Sequence, residues 1–161
     1  MKTIDILVGG DRFDHLVRVD VRGQRQLHPA LNGLTEAQAL AYEKYWENFS
    51  IPATGQINPV EIFPKATKVI MEIGTGMGEA TSEIAKQYPE VGFIGIELHK
   101  PGLGSLLHRI NENELDNLKL ISLDARILLE ENFADNSLDA VHLYLVPGFN
   151  AKHLRKHRLD Q

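Results

Sequence analysis

From Val69 onward the sequence alternates between short apolar, β-branched runs and longer segments with helical spacing, and few folds accept that alternation. The spacing predicts strands over residues 69–73, 91–96, 118–123 and 138–146. It predicts helices over 79–87, 102–114 and 126–131. A helix between successive strands acts as a crossover, which pairs the strands in parallel and covers both faces of the sheet. The expected fold class is α/β, with a doubly wound, mainly parallel sheet.

In such a sheet ligands bind where the carboxyl ends of the strands open a crevice, so the loops after the strands are the places to look for chemistry. The first loop, in EIGTGMGEATSEIA, follows Glu72 and carries Gly74, Gly76 and Gly78 into a helix. Glycines there let the backbone turn tightly and approach a ligand, and the helix start offers unpaired N–H groups. The second loop begins at Glu97, about 20 residues beyond the glycines, where a carboxylate can accept from both hydroxyls of a ribose. The third begins at Asp124, followed by Ala125, where a carboxylate can accept from an adenine amino group. Taken singly, Glu97 could equally be a helix cap or a solvated charge, and Asp124 an N-cap for the next helix. Three matches at three successive strand ends favour a nucleoside-bearing cofactor, either a dinucleotide or S-adenosylmethionine. The spacing Gly-x-Gly-x-Gly departs from the Gly-x-Gly-x-x-Gly of dehydrogenases and favours the second.

Upstream the pattern differs. Residues 1 to about 34 show weak strand signal at 4–8 and 16–21. Thr35 with Gln38 three residues on predicts a capping box, and Tyr42, Tyr45, Trp46 and Phe49 fall on one helical face. An aromatic stripe at that spacing is what a helix packed on a core shows, so packing is expected ahead of base stacking. The segment 51–67, with three prolines, reads as a connector. The expected organisation is residues 1–66 as arm, helix and connector, and 67–161 as the cofactor-binding domain.

A chain of 161 residues with 43% hydrophobic and 24% charged residues is of single-domain size and globular composition. No apolar run approaches the ~20 residues of a bilayer span, and the start lacks a signal peptide's apolar stretch, so a cytoplasmic location is expected. There is no cysteine, and the seven histidines lack ligand spacing, so no metal is expected. A net charge of −5 argues against nucleic-acid binding by the surface as a whole. The ends are nonetheless locally basic: Arg18, Arg22 and Arg25 lie in the arm, and Lys152, His153, Arg155, Lys156, His157 and Arg158 close the chain.

The stretches MEIGTGMGEATSEIAKQYPEVGFIGIELHKPGLGSLL, LDNLKLISLDA and FADNSLDAVHLY resemble the bacterial tRNA (guanine-N7-)-methyltransferase family. Its members typically carry EIGFGMG, FLGIEVHxPGVG, NLR, PDNSL and a FFPDPWxKxRHxKRR run. The resemblance covers residues 34–161, and GIELHKPGLG is its most specific part. It implies a Rossmann-like fold, S-adenosylmethionine held at Glu72, Gly74, Gly76, Gly78, Glu97, Asp124 and Ala125, and methyl transfer to a guanine of tRNA. It also implies that Lys152, Arg155, Lys156 and Arg158 meet tRNA phosphates.

Two departures stand beside the resemblance. The family's acidic residue in Pro-Asp-Pro-Trp falls at Pro147 and its tryptophan at Phe149, so the catalytic residue is unknown here. The family also continues for several more strands, so the sheet is expected to be incomplete, as in a fragment or a degenerate copy. N7 of guanine carries a free lone pair and needs no base, so losing the carboxylate is expected to weaken turnover more than cofactor binding. Three readings follow: an impaired tRNA methyltransferase, a non-catalytic tRNA- or cofactor-binding remnant working through a partner, and a small-molecule methyltransferase with a merely solvated basic tail. The oligomeric state is not legible in the sequence.

Overall fold

The computed structural model describes the backbone of residues 3–8 and 15–20 and the continuous chain from 33 to 143. Arg22, Arg25, Pro147 and the basic residues from Lys152 to Arg158 lie outside the described residues. Strand β1 (Thr3–Val8) pairs antiparallel with β2 (His15–Asp20), forming a separate two-stranded ribbon close to the weak strand signals of the sequence.

Helix α1 (Glu36–Phe49) starts at the expected capping box: the Gln38 N–H donates to the Thr35 hydroxyl, and the Thr35 N–H donates back to the Gln38 side chain. Its aromatic stripe is half-buried against the core, with Tyr42 and Trp46 stacked at 4.8 Å between ring centroids. The main sheet comprises β3 (Lys68–Ile73), β4 (Val91–Ile96), β5 (Leu118–Ile121) and β6 (Ala140–Leu143) in the order β5-β4-β3-β6, with all pairs parallel. Helix α3 (Glu79–Gln87) joins β3 to β4, and α4 (Lys100–Glu112) joins β4 to β5. The chain therefore steps outward from β3 to β5 and returns to the far side of β3 as β6. That reversal places a topological switch point between β3 and β6.

Alternation along the strands sorts side chains onto two faces. Ile70, Phe93 and Leu120 pack with Leu103, Leu106 and Ile110 of α4 and with Ala41 of α1. Met71, Ile94 and Ile121 point the other way, against Leu128 and Phe133. On that second face the expected helix over 126–131 is a single turn, α5 (Ala125–Ile127), running into a π-helical turn at Leu128–Asn132, where the Phe133 N–H reaches the Leu128 carbonyl. The proline-rich segment proves to be packed structure. It forms the short helix α2 (Pro59–Ile62), buries Ile57 and Phe63, and lays Phe63 against Gly92, where a Cβ would come within 2.6 Å of the ring.

The β5 edge is covered by the chain leaving α1: Ser50 bridges Leu120, and the Ile51 N–H donates to the Leu120 carbonyl at 2.8 Å. Lys119 reinforces this, its ammonium donating to the Asn48 carbonyl at the end of α1 and lying 5.1 Å from the centroid of the Phe49 ring. Among the described residues β6 is the other edge of the sheet.

Candidate functional site

The three loops anticipated as chemical are neighbours, because β3, β4 and β5 are adjacent in the sheet. After β3 the chain turns through Gly74, Gly76 and Gly78, with φ of 83°, 59° and 76°. These left-handed values are ones that L side chains rarely adopt, so glycine is required by the turn itself. Gly78 is also a contact: a Cβ there would lie 2.4 Å from the Leu106 side chain.

Glu97 ties the first loop to the second. One carboxylate oxygen accepts from the Gly76 N–H at 2.9 Å, and the other accepts from the Leu98 and His99 N–H groups, both at 2.8 Å. It thus satisfies main-chain donors just before α4, and two of those three bonds fill one oxygen. The Gly76 bond leaves a lone-pair position on the second oxygen, so a hydroxyl can be accepted there. The acceptance of two hydroxyls that the sequence suggested requires one of these main-chain bonds to be given up.

The PGLG stretch that marks the resemblance has a structural reason. Gly102, in the first turn of α4, sits against the glycine loop, where a Cβ would come within 2.3 Å of the Gly76 carbonyl oxygen and 3.3 Å of the Glu97 side chain. Gly104, two residues on, does the same for α1: a Cβ would meet the Gln38 backbone oxygen at 2.8 Å. Bare backbone at both positions lets α4 pack on the loop and on α1 together.

Asp124 caps α5, accepting from the Arg126 N–H at 2.9 Å, and is also gripped by the Arg126 guanidinium through bonds of 3.1 and 2.6 Å. Ala125 is buried in the core, so what it can present to a ligand is main chain. Glu72 faces the α3 side of the sheet, buried, and accepts from the Thr81 hydroxyl at 3.0 Å. Burial raises its carboxyl to about 7, partly opposed by the Thr81 hydrogen bond.

Sequence reasoning did not single out the exposed apolar side chains near these strand ends. Met77, Leu98 and Ile127 are among the few large apolar residues left exposed, at 46, 56 and 42%. Met77 and Leu98 stand in the loops after Gly76 and Glu97, and Ile127 ends the short helix α5 that follows Asp124. The available signal was an apolar residue one to three positions past Gly76, Glu97 and Asp124. Main-chain N–H groups, carboxylates and exposed apolar side chains are groups that a flat heterocycle carrying a ribose can use. Among the described residues, no group of three or more His, Asp or Glu could hold a metal ion, and no helix is long and apolar enough to cross a membrane.

A family model described as a methyltransferase matches residues 66–161. The chain belongs to that methyltransferase family. Among curated proteins, the tRNA (guanine-N(7)-)-methyltransferase of Nitrosomonas europaea is 44% identical over 131 residues, which is 79% of this chain and 57% of that protein. The protein of the same name from Methylobacillus flagellatus is 40% identical over 130 residues, covering 80% of this chain and 55% of its own. The chain thus spans about half the length of the curated relatives it matches. Among solved structures, Haemonchus contortus phosphoethanolamine N-methyltransferase 2 in complex with S-adenosyl-L-methionine aligns with 52% of this chain and 19% of its own, at 24% identity and a TM-score of 0.41.

Proposed function

We propose that the chain binds S-adenosylmethionine in the crevice at the carboxyl ends of β3, β4 and β5 and directs its methyl group to N7 of a guanine in tRNA. The carrying observation is that Gly76, Glu97 and Gly102 form one interlocked unit at those strand ends, in a methyltransferase chain similar to the tRNA (guanine-N(7)-)-methyltransferases of Nitrosomonas europaea and Methylobacillus flagellatus. The fit to the cofactor rests on its parts. Glu97 offers an acceptor to a ribose hydroxyl, and Met77, Leu98 and Ile127 offer apolar surface to an adenine ring. The glycine loop brings main chain close to the amino-acid end, near Glu72, while Asp124 and the main chain at Ala125 border the adenine edge.

S-adenosylmethionine supplies an electrophilic methyl on a sulfonium. The protein's task is then chiefly to hold that methyl in line with N7, whose lone pair is free without deprotonation, and such positioning can be worth on the order of 7–11 kcal/mol. Lys152, Arg155, Lys156 and Arg158 supply phosphate contacts in this reading. Pro147, at the place of the family's acidic residue, favours a second reading in which cofactor and tRNA bind without turnover.

Methyl transfer from labelled S-adenosylmethionine to unmodified tRNA, beside calorimetric titration with the cofactor, tests both. Binding with transfer supports the first and binding without transfer the second. No binding at millimolar cofactor overturns both.

A further inference from the structure

Thr81 plays no part in the cofactor reading, yet among the described residues it is the side chain that holds Glu72. It lies in the first turn of α3, 1% exposed, and its hydroxyl donates to Oε1 of the Glu72 carboxyl at 3.0 Å. A threonine in a helix ordinarily returns its hydroxyl to a carbonyl of the preceding turn. Here the bond leaves the helix instead. It ties the start of α3 to β3 two residues before Gly74, so one hydrogen bond closes the glycine loop at its base.

The surroundings of Glu72 offer little else to a charge. From β4 the paired residue is Gly95, and α4 sets the apolar Leu106 over that glycine. On α3, Glu79 and Glu83 are exposed, and Glu79 is taken by Arg109 of α4. On β6 the paired residue is the half-buried His142, which makes no hydrogen bond to Glu72. Burial therefore sets the Glu72 carboxyl at about 7, with the Thr81 bond opposing it. A buried acid with so few partners costs the ligand-free fold stability, and a group kept at such a cost beside a glycine loop points to a ligand. A carboxylate has about four acceptor positions, so the Thr81 bond leaves room for a further donor. Glu72 is not sealed either, since 6% of its surface stays open.

We propose that Thr81 is a positioning residue for the cofactor's charged amino-acid end, its hydroxyl fixing one oxygen of Glu72 and favouring the ionised carboxyl that a cationic ligand group requires. This rests on the cofactor reading above. A hydrogen bond donated to a carboxylate stabilises the charged form, so losing it moves the titration of Glu72 further up from about 7. Below that value the ionised fraction falls with every such rise. Well above it the carboxyl is ionised with or without Thr81. A role confined to packing has no such dependence on pH.

The test is calorimetric titration of the full chain with S-adenosylhomocysteine at about pH 6.5 and about pH 8.5, on either side of the Glu72 midpoint, for wild type, Thr81→Val and Thr81→Ser. Valine keeps the shape and removes the hydroxyl. That variant binds about fivefold more weakly than wild type at the lower pH, the worth of one ordinary hydrogen bond, and within about twofold of it at the higher. The serine variant keeps the donor and follows wild type at both. A loss of equal size at both pH values, no loss at the lower one, or a serine variant that loses as valine does overturns the assignment while leaving the cofactor reading intact. A wild-type chain that binds at neither pH overturns both. If Thr81→Val does not fold, Thr81→Ala, which removes the hydroxyl and adds no bulk to a helix that favours alanine, is read at the same two pH values against the same outcomes.

Discussion

Gly102→Ala isolates the contact on which the crevice is built. Any residue other than glycine there must place a Cβ 2.3 Å from the Gly76 carbonyl oxygen, where real contacts do not fall below 3.0 Å, so helix and loop must part by about 0.7 Å. Both surfaces are backbone, and neither can swing aside as a flexible side chain would. The relevant cost is therefore the upper part of the range for overpacking, about 3 kcal/mol. Alanine in place of glycine inside a helix returns about 1 kcal/mol. The balance is a loss of about 2 kcal/mol, or about 4–8 °C in Tm for a chain of this length.

Stability alone does not identify the contact, because many core changes cost as much. The discriminating comparison is Gly104→Ala, whose Cβ would press on the Gln38 backbone of α1 instead. Both variants lose stability in urea denaturation. Only Gly102→Ala displaces Gly76 and strains its bond to Glu97, so only it weakens S-adenosylhomocysteine, by about tenfold or more, as sub-ångström displacements at a reacting site do. A Gly102→Ala chain as stable as wild type with unchanged affinity would show that α4 does not rest on the glycine loop. Equal losses of affinity in the two variants would show that the effect is general loosening.

Four further outcomes are expected. Because the Glu72 carboxyl sits at about 7 in the folded chain against 4.5 for the ordinary group, the folded state holds the extra proton between those values. Ligand-free stability therefore falls as pH rises through that window, and Glu72→Gln removes up to about 3 kcal/mol of the fall, measured as the variant's gain over wild type at pH 8. Asn117→Ala strips the side-chain N–H donors from the Ala85, Tyr88 and Val91 carbonyls and costs about 2 kcal/mol in urea unfolding. Lys119→Met loses the bond to the Asn48 carbonyl and costs about 1 kcal/mol, with increased hydrogen exchange at the end of α1. Glu97→Gln turns an N–H donor toward either Gly76 or the Leu98–His99 pair, so it lowers stability by about 1–2 kcal/mol and weakens S-adenosylhomocysteine, both readable in one thermal-shift titration.

The sheet was legible because its strands are buried on both faces and bounded by turn residues. Residues 91–96 and 79–87 fall where the pattern put them. Where the reading was least exact, the reasons are physical. The helix expected over 126–131 becomes one turn and a π-helical turn, in which Leu128 and Leu129 are both buried, and composition gives no warning of a shift in hydrogen-bond register. The proline-rich segment looked like a connector because prolines punctuate local structure. Its role is set instead by Ile57 and Phe63, two apolar residues whose partners lie in β4 and beside Phe133, out of reach of any local pattern. Within the site, the glycines and Glu97 were legible from their positions after strands. That Glu97 is occupied by three main-chain N–H groups was not, because it depends on the loop after β3 lying against the loop after β4.

What gives this crevice its shape is the removal of side chains at places far apart in sequence. Gly78 admits Leu106, Gly95 accepts the Thr75 methyl group and Leu106 from above, and Gly102 admits the Gly76 carbonyl. Each absence lets α4 settle closer to the sheet, and together they bring the start of α4 within reach of the loop that Glu97 holds. A ligand entering this edge meets backbone already fixed by contacts it does not itself make, so little of its binding energy goes into ordering the loop. The same tightness explains why Glu72, at the base of the cleft, is left with so few polar neighbours. Close packing that excludes side chains also excludes the groups that would neutralise a buried acid, and the Thr81 hydroxyl is the one side-chain donor that Glu72 keeps among the described residues.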